Sequence, residues 1–196
     1  YLKVLFIHLL IGIFLIVRGI RKANRDLANT LGIQTSEAMK FQVQLKLQEK
    51  KFGAMGLEAS QIKSTMKSIS DQFGSLEHLT VANAANIEKF AQNSGISGDN
   101  VVKLNKTLMD LSGMTFDAAT NVSRMAAGMA KAANVSTKKV LEDMQSNAEA
   151  FAKYSMAGAD GMARAAVEAA KIGSSLSVVL GTADKLLQFE TSISDQ

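Results

Sequence analysis

Proline does not occur in this chain, and neither do cysteine and tryptophan. Average usage would put about ten prolines in a sequence of this length, each removing a backbone donor and clashing with the turn before it. An alanine-rich chain without them can run in helix from one glycine to the next. The missing cysteines exclude disulfides, thiolate metal sites and cysteine nucleophiles, which fits a reducing compartment or a virion. Aromatic residues make up 6% against 47% hydrophobic residues, so the apolar character rests on small and aliphatic side chains.

Charge is unevenly spread. Residues 1–72 hold eleven Lys/Arg against five Asp/Glu, and residues 73–196 hold eleven against thirteen. The basic character of the chain, +4 in all, therefore belongs to its first third. Tyr1 stands where a methionine would start a chain, and the last residues, Glu190 to Gln196, read as mid-helix; a piece of a longer protein is expected.

Val4 to Val17 is apolar except for His8, and the run reaches Leu2 and Ile20 if Lys3 and Arg18 snorkel at its ends. That lies between the ~20 residues of a bilayer span and the shorter runs of buried helices. Arg18-Gly19-Ile20-Arg21-Lys22 follows in place of a small-residue cleavage site, which excludes a signal peptide. The residues expected to enter a membrane are Leu5, Phe6, Ile7, Leu9, Leu10, Ile11, Phe14, Leu15 and Ile16. Arg18, Arg21, Lys22 and Arg25 follow at i, i+3, i+4 and i+7, a single basic stripe suited to the positive side of a membrane. Burial of the helix in an oligomeric bundle, with the stripe solvated, is the other reading.

From Leu57 onward apolar residues keep helical spacing between regular breaks. Ile62, Met66, Ile69 and Phe73 end at Gly74; Leu76, Leu79, Asn83, Ile87 and Phe90 end at Asn93-Ser94-Gly95; Val101, Leu104, Leu108 and Leu111 end at Gly113. Thr115 can cap the helix of Val122, Met125 and Met129, and Ser136 that of Val140, Leu141, Met144, Ala148 and Phe151. A helix from Met162 to Ile172 ends at Gly173, and Ser175 or Ser177 starts the last, with Leu180, Ala183, Leu187 and Phe189. The period is loose and defines no repeat. Met39, Phe41, Val43, Leu45 and Leu47 alternate as in a strand, but Gln, Lys and Glu neighbours favour helix, with Thr35 or Ser36 as its cap. The expected fold is all-α, a string of short helices and helical hairpins behind an apolar first helix. Three regions follow: 1–22, apolar and membrane-competent with a basic end; 23–56, a basic helical linker; and 57–196, multi-helical.

No constellation of catalytic residues emerges. His8 and His78 are too far apart in sequence to suggest a metal cluster. Ser60-Gln61-Ile62-Lys63, Ser64-Thr65-Met66-Lys67 and Ser136-Thr137-Lys138-Lys139 match S-x-x-K without its partner motifs. Phe52-Gly53-Ala54-Met55-Gly56-Leu57 has glycines but no Lys-Ser/Thr, and reads as a helix break. Basic residues interleaved with aromatics are missing, so sequence-specific nucleic-acid binding is not expected. Neither catalysis nor a cofactor is expected.

Within 134–196 stand Asn147-Ala-Glu-Ala-Phe-Ala-Lys153, Gly158-Ala-Asp-Gly161 at a helix start, and Leu186-Leu-x-Phe-Glu-x-Ser-Ile193. This stretch resembles the tail tape measure proteins of contractile-tailed bacteriophages. The resemblance implies a homo-oligomeric helical protein in the lumen of the tail tube near the baseplate. Its length would set the length of the tail, and it would contact tail tube and baseplate hub proteins. Release ahead of the DNA is also implied, as is a passage through the host membrane to which the apolar helix would contribute. Fully helical, 196 residues reach about 290 Å, which again suits a fragment. A membrane-anchored helical protein, pore-forming or a signalling coiled coil, is the alternative.

Overall fold

Ten helices follow one another along the described residues: α1 (Leu2–Leu31), α2 (Thr35–Leu47), α3 (Glu49–Ala54), α4 (Ala59–Phe73), α5 (Val81–Ser94), α6 (Gly98–Ser112), α7 (Phe116–Ala132), α8 (Thr137–Tyr154), α9 (Gly158–Lys171) and α10 (Leu176–Ser194). In this computed structural model residues 2–154 and 158–194 are described, with side chains at 6, 8, 10–150 and 158–185. No strand occurs among them, so the all-α expectation holds. The side chains of Phe151, Leu187 and Phe189 lie outside the described residues.

The alternating segment is helical as expected, and its pattern separates into two stripes on α2. Ala38 and Leu45 are buried with Phe41 half-buried between them, while Met39, Val43 and Leu47 face outward. Two local expectations are corrected. Leu76 and Leu79 belong to the loop between α4 and α5, because the Thr80 hydroxyl accepts from Asn83 N and opens α5 there. Gln34, rather than Thr35 or Ser36, stands at the N-cap of α2, and no side chain accepts a hydrogen bond there.

Helix ends elsewhere follow the expected chemistry. Ser97, Thr115 and Ser136 accept from Asn100 N, Ala118 N and Lys139 N, each satisfying an otherwise orphaned donor. Glu58 and Gln61 form a reciprocal capping box at the start of α4.

A repeat underlies this order, which corrects the reading of a loose period. Taken in successive pairs α3–α4, α5–α6, α7–α8 and α9–α10, of which the last three pack as hairpins, the second helices begin at Ala59, Gly98, Thr137 and Leu176, each 39 residues after the last. The turns before them keep the same register. Gly56, Gly95, Asn134 and Gly173 all have positive φ, between 57° and 73°. The next N–H in each turn donates back five residues: Leu57 to Phe52 O, Ile96 to Ala91 O, Val135 to Ala130 O and Ser174 to Ala169 O, at 2.8–3.2 Å. This is the Schellman arrangement, which needs a left-handed residue at its centre; asparagine tolerates that conformation and replaces glycine once.

The hairpins stack in two layers. Second helices α4, α6, α8 and α10 lie side by side, and first helices α5, α7 and α9 form the other layer. Ile62, Val101 and Val140, at equivalent positions of α4, α6 and α8, are fully buried. Helix α6 joins two halves of the core: Val101 and Val102 pack with the side chains before it, Leu104 and Leu108 with those after it. Burying each such side chain contributes about 1.5–3 kcal/mol. Among its described side chains, helix α1 docks by its later part, where Asn24, Leu27, Ala28 and Leu31 are buried and α2 and α4 pack against it.

Candidate functional site

Among the described residues, the first part of α1 gathers most of the large apolar side chains left exposed. Phe6, Leu10, Ile11, Phe14, Leu15 and Ile16 are all exposed, as are Ile13, Val17 and Ile20 beside them, with Phe14 at 63% and Ile16 at 64%. Leu5, Ile7 and Leu9, expected in the same set, have side chains outside the described residues. A continuous apolar run has residues at every angle around a helix, so no face of it can be matched to the rest of the chain. The periodic run Asn24–Leu31 of the same helix gives one stripe, and that stripe docks. Exposed apolar surface on this scale calls for lipid or another protein surface.

Arg18, Arg21, Lys22 and Arg25 follow on α1, all exposed, so the structure brings the basic stripe together as the spacing predicts. With Phe14, Val17 and Asp26 they line a groove of about 830 Å³. Helix α1 runs unbroken past residue 22, and Gln42 of α2 donates to Ala23 O at 3.3 Å where docking begins.

Among the described residues no helix is long and apolar enough to cross a membrane. The fourteen residues Val4–Val17 rise about 21 Å as helix, against a hydrocarbon core of ~30 Å, and the cations of the stripe begin at once.

Three side chains of types that could carry chemistry have structural partners. His78 stacks on Phe116 with centroids 5.0 Å apart and meets the edge of Phe73, holding the loop before α5. Ser136 of an S-x-x-K match caps α8, accepting from the backbone N of Lys139. Glu49 carries a carboxyl held below the usual carboxylate range by its hydrogen bond to Lys46, an exposed pair at the α2–α3 junction. No group of His, Cys, Asp or Glu among the described residues could hold a metal ion.

Two interior arrangements are not apparent from the sequence. Asn105, fully buried on α6, donates to the Thr120 hydroxyl at 2.7 Å and accepts from Ser123 at 3.0 Å. Its equivalents in the neighbouring hairpins are Met66 and Met144, so a polar network replaces apolar packing in one rung. At the α4–α6 contact, Thr65 donates to Glu88 at 2.7 Å, and a Cβ on Gly98 would run into both. Only the 39-residue spacing of the turns could have pointed to these positions.

Comparison with protein-family models, curated proteins and solved structures finds no match.

Proposed function

We propose that this chain is a segment of a tape measure protein of a contractile bacteriophage tail, resident in the tail tube near the baseplate and released ahead of the DNA. The observation that carries the reading is the stack of 39-residue hairpins, whose last part includes the stretch with the strings that resemble that family. A stack in which packing runs chiefly between neighbouring units grows by a fixed increment per unit, as a molecular ruler requires. Two helix layers measure roughly 20–24 Å across, a slender body for a tube lumen. Tail tube and baseplate hub proteins, with other copies of the chain, are the partners this role supplies. The uncovered part of α1, with its basic stripe, is the surface for the host membrane at ejection.

The test is a deletion in register. Removing residues 98–136 joins Ser97 to Thr137, the residue that holds the place of Gly98 in the next unit. The stack is then preserved with one unit fewer, and virions should carry uniformly shorter tails by electron microscopy. Viable phage with tails of unchanged length would exclude the ruler role. The alternative, a membrane-anchored helical protein, draws on the exposed apolar part of α1. Fractionation of the chain with membranes of uninfected cells would favour it.

A further inference from the structure

The two ends of the hairpin stack differ in how they are covered. At one end α1 lies over α4, and Ser70 of α4 donates to Leu31 O at 2.6 Å. At the other end, the described part of α10 packs against α8 and α9, whereas α8 packs against four helices and α6 against five. Val179 is equivalent to Val140, which is 0% exposed, yet Val179 itself is 40% exposed. Val178 and Ile172 are exposed as well. Helix α10 has three charged residues in nineteen, against six in eighteen for α8. A terminal repeat needs a polar outer face to end a stack in water, and α10 has the composition of an inner rung.

We propose that the α9–α10 face takes one further α-hairpin in the same 39-residue register, with the first turn of its second helix seated over Thr182. The seat is defined by the existing contacts. Thr65 lies against Gly98 at the start of α6, the buried Leu104 follows it 39 residues on, and Asp143, 39 further, accepts from Leu176 N, at the start of α10, at 2.5 Å. Thr182 is the next residue in that series, 39 after Asp143. It is exposed, and its hydroxyl donates to Val178 O at 2.9 Å, which leaves its oxygen able to accept from an arriving helix N-terminus. Of the units present, α5–α6 fits best, because it already seats a glycine over a threonine.

The experiment appends a copy of residues 80–115 directly after Gln196, where the register places a residue equivalent to Thr80. Hydrogen exchange of the Val179–Ala183 amides should slow at least tenfold relative to the unextended chain. Replacing the appended unit's counterpart of Gly98 by valine should cancel the gain, and so should Val179→Asp in the extended chain. Unchanged exchange on extension would overturn the proposal. Self-association of the 196-residue chain that Val179→Asp abolishes would also overturn it, since a second copy would then be the occupant.

Discussion

Leucines in the two halves of α1 have opposite fates: Leu27 and Leu31 are 4% and 2% exposed, and Leu15 is 58% exposed. Neither residue type nor helix distinguishes them, since both sets lie on one unbroken helix. What differs is the sequence around them. Polar residues between Asn24 and Leu31 confine the apolar side chains to one stripe that α2 and α4 can cover. From Val4 to Val17 only His8 interrupts the run, so no stripe forms. Periodicity commits apolar surface to the chain's own core, and continuity leaves it for something else.

The widest separation between the two regions should appear on truncation to alanine. Met144, fully buried in α8, should cost about 2–5 kcal/mol as Met144→Ala in chemical denaturation. Gly98→Ala comes next, at about 1–3 kcal/mol, because its Cβ would collide with Thr65 and Glu88; adding Thr65→Ala should recover part of the loss. Asn105→Ala should also cost about 1–3 kcal/mol. The triple change Asn105→Met, Thr120→Val and Ser123→Ala copies Met66, Val81 and Ala84 one unit earlier, and should restore most of that stability. Thr115→Ala removes the cap of α7 and should cost about 1 kcal/mol.

Leu15→Ala should shift stability by no more than about 0.5 kcal/mol, and a larger loss would mean that α1 is covered after all. The paired changes Ile11→Asp and Leu15→Asp should leave helicity by circular dichroism unchanged. They should abolish permeabilisation of lipid vesicles, and persistence of that activity would separate α1 from any membrane role.

Helix content and most helix ends were legible in the sequence because glycine and Ser/Thr mark them directly. The alternating stretch 39–47 could be resolved in favour of helix from its polar neighbours, although its second stripe, Met39, Val43 and Leu47, was not foreseen as an exposed face. The repeat was not legible for three reasons. Its left-handed turn residue changes from glycine to Asn134, its core position changes from Met66 to Asn105, and its first helices start after loops of unequal length. Only the spacing survives, and spacing is visible once the turns are known. The basic stripe was legible because its four cations fall on one helix, where spacing alone fixes the face.

The register of the turns also governs how the chain would respond to tension. Each hairpin holds chiefly to its neighbours, so a stack pulled from its ends yields one rung at a time. Every rung that opens releases 39 residues, about 130 Å of extended chain. A force trace of this protein would be a staircase of near-equal steps, in which slack is paid out in measured lengths.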